Sequence, residues 1–330
     1  TLFRSALRVL GWGCKRRIAA TGTPLPNYPS DLWSVANWLW PEEFPSFWSF
    51  ASRYCKLERR PWGWEHKGAD RLPELHTVLK ALGMVRRKKA DVLDDLPPKV
   101  RRAVPLELSD RRQYEEARDD FRRWARKNMR KALSAADRAE GMTKAGYLFR
   151  LTGTLKLPAV ETWVQDWLDN TEEKLILFAR HRAVLKPLYA RFKDAAVLVD
   201  GSVTGRHRDA AIDRFNKSRR CRLFLGNVLA AGVGWSAKGC TNVAFCEYPD
   251  RPADLTQAED RAYGMFRGKA GTSTTVWLLT ARGTVEEGRM DKLQTKQGHA
   301  DAAIDGLAAG DGGLDLLGLL TQLIEEEVGK

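Results

Sequence analysis

Three short apolar runs, Leu223–Leu225, Val243–Cys246 and Thr275–Leu279, are each bounded by Gly, Asn, Pro or Asp. Runs of this length without polar alternation read as strands buried on both faces, as in parallel sheets. The segments between them are long enough to carry crossover helices, so the chain folds in α/β layers. Lys174–Ala179 (KLILFA) and Val197–Val199 add two more strands upstream. An ordinary doubly wound domain has the same signature, and to this point the pattern says nothing about function.

With 330 residues, the chain has room for about two domains. Its 43% hydrophobic content supports cores of ordinary size. The formal charge of +13 points to a polyanionic partner, most simply nucleic acid, although a solubilising surface gives the same number. Five cysteines (Cys14, Cys55, Cys221, Cys240, Cys246) are scattered without a C-x-x-C pair, which reads as reduced thiols in an intracellular protein. The five histidines are equally dispersed, and none is assigned a catalytic or metal role. No apolar run approaches a membrane span, and the opening residues do not form a signal peptide, so no membrane is expected as partner.

Function enters at the strand ends. Ala230-Ala231-Gly232-Val233-Gly234 follows a strand, and small residues there let backbone amides approach a phosphate or a nucleic-acid backbone. Gln257-Ala258-Glu259-Asp260-Arg261 sets a charged cluster beside a second strand, with an arginine whose planar fork stays protonated. Together with Gly283-Thr284-Val285-Glu286-Glu287, these segments resemble motifs V and VI of superfamily-two helicases of the Swi/Snf family of DNA translocases. The resemblance implies a RecA-like parallel sheet flanked by helices, the helicase C-terminal lobe, preceded by the mostly helical end of a first RecA-like lobe. It also implies ATP with Mg2+ as cofactors, and duplex or forked DNA as a largely sequence-independent partner. Carried over position by position, Gly232, Gly234, Gln257, Asp260 and Arg261 face the nucleotide, Arg261 is the catalytic finger, and Asn227 touches DNA.

Further segments carry the same resemblance. Thr21-Gly22-Thr23-Pro24, followed by Asn27 and Asp31-Leu32-Trp33, looks like motif III, with Thr21 toward DNA. Phe47 to Arg102 is similar to the annealing-helicase branch, and its basic run Arg86-Arg87-Lys88-Lys89 lies near DNA in that family, although a solvated basic face has the same composition. Trp62-Gly63-Trp64 reads equally as two aromatics packed under a loop. Lys174–Ala179 matches motif IV, with His181-Arg182 after it, and Arg208, Phe215 and Asn216 fit the next family series. Arg208 then contacts DNA or nucleotide, or else makes a surface salt bridge. Arg17–Ala20 is expected as a strand, Arg118 to Arg138 as a charged helix, and Trp163 and Trp167 as core residues on one helix face. The expected division is 1–105 for the end of the first lobe, 106–298 for the second lobe, and 299–330 for a flexible connector with a short amphipathic helix.

Three departures qualify the resemblance. No G-x-x-x-x-G-K-[ST] phosphate loop and no Asp-Glu-x-His run occur in the sequence. The expectation is therefore a truncated first lobe, or a split gene whose first lobe binds in trans, and no ATPase activity from this chain alone. Gly264 stands where a second motif VI arginine is usual, leaving Arg267 as its nearest substitute. Leu229 stands where a hydroxyl residue commonly meets the DNA backbone. The reading is the C-terminal part of an ATP-dependent, strand-annealing or fork-remodelling translocase, cytoplasmic or nucleoid-associated; the alternative is a non-catalytic DNA-binding module.

Overall fold

The computed structural model describes residues 13–60, 63–66, 68–92, 99–128, 135–232, 234–263 and 273–307. They form two compact units, one of 13–86 with 294–307, the other drawn from 87–293.

The first unit is helical. It holds helices α1 (Pro29–Leu39), α2 (Phe47–Tyr54) and α3 (Leu72–Ala81) and a small antiparallel hairpin of β1 (Glu58–Arg60) and β2 (Gly63–Glu65). Proline opens α1, where its missing N–H costs nothing, and the Asp31 carboxylate accepts the Tyr28 amide at 3.2 Å. Leu32, Ala36, Phe50, Leu75 and Leu79 are buried together, and Glu74 ties α3 to α2 through Arg53 and the Tyr54 hydroxyl.

The second unit is a doubly wound sheet. Short α4 (Lys89–Val92) precedes β3 (Lys99–Leu106), then come α5 (Arg111–Asn128), α6 (Ala135–Leu155), α7 (Leu157–Asn170) and β4 (Leu175–Ala179). After α8 (Arg182–Phe192) follow β5 (Ala196–Val199), α9 (Gly205–Lys217), β6 (Leu223–Asn227) and α10 (Val228–Ala231). The remainder is β7 (Asn242–Phe245), α11 (Pro252–Glu259), β8 (Thr274–Ala281) and α12 (Val285–Ala300). The six strands β3 to β8 lie in the order β3-β8-β7-β4-β6-β5, all parallel. Alternation explains why the central strands read as unbroken apolar runs. Leu175, Leu177 and Ala179 of β4 pack with α7 and α8, while Ile176 and Phe178 face the other way and are equally buried, with Phe178 stacked on Phe245. Trp163 and Trp167 meet Trp277 against the α7–α8 layer, as their spacing predicts.

Four expectations change. The strand expected at Arg17–Ala20 is irregular backbone with Ile18 exposed; among the described residues no strand pairs with it, and a strand without a neighbour has nothing to bond. The division expected at 105/106 falls at 86/87, because β3 is bonded along its length to β8 as the sheet's edge, where Pro105 is tolerated. The connector expected from 299 is ordered at its start: a π-turn spans Asp301–Asp305, and Ala302, Ala303 and Ile304 complete the first unit's core against α3. Trp64, for which packing under a loop is one of two equal readings, is 54% exposed on β2. Trp62, Leu96–Pro98 and the amphipathic segment beyond 307 lie outside the described residues.

None of the five cysteines is in a disulfide, and burial pushes the Cys240 and Cys246 thiols up to about 12. Among the described residues no helix is long and apolar enough to cross a membrane, and no three His, Cys, Asp or Glu side chains gather as a metal cluster.

Candidate functional site

In open parallel sheets ligands bind beyond the C-terminal strand ends, where the loops converge. At the end of β6, the Asn227 carbonyl oxygen caps α10, accepting the amides of Leu229 (3.1 Å) and Ala230 (3.3 Å). Its amide nitrogen donates to the Arg180 carbonyl at 2.7 Å, so the side chain joins the ends of β6 and β4. The α10 helix stops at Gly232, whose amide is taken up by the Val228 carbonyl, and a Cβ there would sit 2.3 Å from that oxygen. Gly234 then turns the chain at φ +82°, a conformation that favours glycine.

Arg261, just past α11, reaches into this turn. Its Nε donates to the Gln257 carbonyl at 2.9 Å, and a terminal nitrogen donates to the Trp235 carbonyl. The backbone closes the same loop, with the Ala237 amide bonded to the Arg261 carbonyl at 2.9 Å. Trp235 is itself fixed by stacking on Phe224, with centroids 4.4 Å apart. Two neutral carbonyls thus aim the guanidinium without neutralising it. Arg208 of α9 approaches the same turn, its terminal nitrogen 3.9 Å from where a Gly234 Cβ would stand. Burial lowers the Arg261 pKa, Asp260 opposes that, and Arg208 lowers it further. Arg208 and Arg261 thus both stand beside the Gly234 turn.

The two carboxylates before Arg261 face elsewhere. Glu259 is fully buried and takes Lys99 at 3.0 Å and Arg101 at 2.9 Å, both from β3. Asp260 takes Lys99 and Lys89, each at 2.9 Å. Asp260, expected on the nucleotide side, is thus held by two lysines of its own unit.

A third group lies at the ends of β4 and β7. Glu247 accepts the amides of Arg180 (2.9 Å) and His181 (2.8 Å) through one oxygen, while the other meets the His181 Nδ1 at 2.6 Å. Asp250 pairs with Arg180 and, at 3.2 Å, with Arg289. Just past β5, burial alone would raise the Asp200 carboxyl, but Ser202 and Arg182 outweigh it and hold it below its ordinary value. Sequence reasoning missed Glu247, Glu259 and Glu286 as anchors. Glu286 is buried against Lys156, 2.6 Å away, within the Gly283–Glu287 segment whose resemblance the sequence already showed.

Of the other expected residues, Thr21 is exposed and its hydroxyl accepts the Thr23 amide at 3.1 Å, while Arg86 pairs with Asp305 at 2.9 Å, both within the first unit. Arg87 is exposed. Gly264 and Arg267 lie outside the described residues.

Residues 4–156 match the SNF2-related domain, and residues 157–264 match the helicase conserved C-terminal domain. The chain belongs to the Swi/Snf family of superfamily-two helicases. Among its Swi/Snf relatives, the DNA annealing helicase and endonuclease ZRANB3 of Bos taurus is 31% identical over 309 residues, 87% of this chain and 28% of the relative. The SWI/SNF-related matrix-associated actin-dependent regulator of chromatin subfamily A-like protein 1 of Bos taurus is 30% identical over 299 residues, 86% of this chain and 29% of the relative. The chain thus spans under a third of the length of either protein. A SWI2/SNF2 ATPase core of Sulfolobus solfataricus, solved with dsDNA, aligns with 94% of this chain and 66% of its own at 20% identity and a TM-score of 0.49. The parallel six-stranded sheet is the RecA-like lobe of this Swi/Snf chain, and the arginine pair at Gly234 lies within it.

Proposed function

We propose that the chain is the later part of the catalytic core of an ATP-dependent DNA translocase that reanneals strands or remodels forks. The observation that carries this reading is the pair Arg208 and Arg261 at the Gly234 turn, in a Swi/Snf lobe, beyond the ends of parallel strands. Two arginines at a loop turn, one directed by backbone carbonyls, suit a nucleotide's phosphates, and Gly232 and Gln257 border the same loop. When bound, ATP and Mg2+ supply the transferable phosphoryl group and its charge neutralisation. This chain's part is positional: Arg261 is aimed by the carbonyls of Gln257 and Trp235, and Arg208 adds positive potential. The principal magnesium ligands belong to a complete first lobe. The chain itself has no G-x-x-x-x-G-K-[ST] loop, so alone it does not hydrolyse ATP.

DNA is the polymer on which this machinery works, with Thr21, Arg86, Arg87, Arg208 and Asn227 as contact positions and the cytoplasm or nucleoid as its place of action. Support comes from the charge of +13 and from relatives named for DNA annealing. Asn227 acts there through the α10 cap that it builds.

The test is Arg261→Ala in the protein carrying its complete first lobe. DNA-stimulated ATP hydrolysis falls about 10³- to 10⁵-fold, with DNA affinity retained. Near-full hydrolysis by that variant overturns the assignment.

A further inference from the structure

Among the described tryptophans, two are more than half exposed: Trp48 on α2, at 53%, and Trp64 on β2, at 54%. Both flank one contact. The Phe47 ring stands edge-on to Trp48 at 5.3 Å and to His66 at 5.1 Å, and His66 follows Trp64 by two residues. Water-exposed indoles carry a large desolvation incentive, and among the described residues neither ring belongs to the core of α1, α2 and α3.

The hairpin arranges charge around these rings. Arg59 stands directly opposite Trp64 in the antiparallel register, so both side chains project from one face. Glu58 and Glu65 are opposite each other one step along, and strand alternation turns them to the other face. Arg59 is exposed and makes no ion pair among the described residues. One face of the hairpin thus carries an exposed indole and an uncompensated guanidinium, with the acids directed away.

We propose that this face binds unpaired DNA, with bases stacking on Trp64 and Trp48 and Arg59 engaging the adjacent phosphate. Nucleobases have a π-face whatever their sequence, so aromatic platforms beside cations suit single strands without reading them. An exposed guanidinium beside an indole, on a chain of charge +13, selects a polyanion over an apolar protein surface. The proposal rests on the DNA-translocase reading for the polymer, and it adds a single-strand site on the first unit, separate from Arg208 and Arg261. A protein that rejoins strands needs a hold on the unpaired ones.

The experiment titrates the chain with labelled oligothymidylate and, separately, with a blunt duplex of equal length. Trp64→Ala should weaken oligothymidylate binding by about fivefold to a hundredfold while changing duplex binding less than about twofold. Trp64→Phe should keep most of the affinity, and Arg59→Gln should weaken it and lower the salt slope by about one. Thermal unfolding of Trp64→Ala should match the parent, since the ring lies outside the core. Unchanged oligothymidylate affinity in Trp64→Ala, an equal loss on duplex, or Trp64-dependent self-association in sedimentation would each overturn the proposal. Failure of the Arg261 test leaves these outcomes readable, because none involves hydrolysis.

Discussion

Lys99 on β3 places one ammonium between two consecutive carboxylates, 3.0 Å from Glu259 and 2.9 Å from Asp260. Those carboxylates end α11, and the next residue is Arg261. The sheet's edge strand therefore sets the position of the helix end from which Arg261 projects. Lys89 adds a second hold, bonding Asp260 and the Tyr263 carbonyl at 3.0 Å.

Removing the bridge leaves Glu259 charged and buried. Lys99→Met should destabilise the second unit by about 1–3 kcal/mol, because buried Glu259 is left with Arg101 alone, whereas Lys89→Ala, at a half-exposed site, should cost within about 1 kcal/mol. Urea unfolding of the two variants measures the contrast.

The same carboxylates set an acid limit. Burial pushes Glu259 and Asp260 up, but Lys99, with Arg101 or Lys89, overcomes it and holds both below their ordinary values. A carboxylate depressed by folding stabilises above its unfolded pKa, about 4, and loses that contribution as pH falls through the lower folded value. Stability should decline below about pH 4, with a shallower decline in Glu259→Gln, as read from unfolding midpoints across pH.

Gly153 on α6 stands where an added Cβ would be 2.5 Å from the Glu247 carboxylate. Gly153→Ala should displace that carboxylate from His181 and the strand-end amides, at a cost of about 1–3 kcal/mol despite the better helix propensity of alanine. Thermal unfolding monitored with the His181 ring proton shift would show both effects; an unchanged shift would contradict the packing argument.

Asn227→Ala removes the α10 cap and the tie to Arg180 together, and should cost about 1–2 kcal/mol. Asn227→Asp keeps the cap acceptor and loses the donor. If the DNA role is carried through the cap, Asn227→Asp should retain more duplex affinity than Asn227→Ala in a binding titration.

The apolar runs announced the second unit's strands because parallel strands buried on both faces leave no alternation to misread, as at Leu175–Ala179. The loop cluster was legible from Gly232 to Arg261 because backbone turns and arginines have few other uses at strand ends. The anchors were hidden for a physical reason. Glu259 and Glu286 look like ordinary surface acids until Lys99 and Lys156, far away in sequence, are brought against them. Arg17–Ala20 misled because β propensity is local, while a strand requires a neighbour. The ordering of Ala302–Ile304 escaped because an alanine- and glycine-rich stretch has the composition of a linker, and only the contact with α3 makes it core.

That late contact also orders the protein in time. Ala303 and Ile304, which cover Leu75 and Leu79, leave the ribosome about 220 residues after them. The second unit has all its strands in hand before those residues emerge, so it can fold as synthesis proceeds. Until they do, Leu75 and Leu79 lack the cover that Ala303 and Ile304 give them in the folded unit.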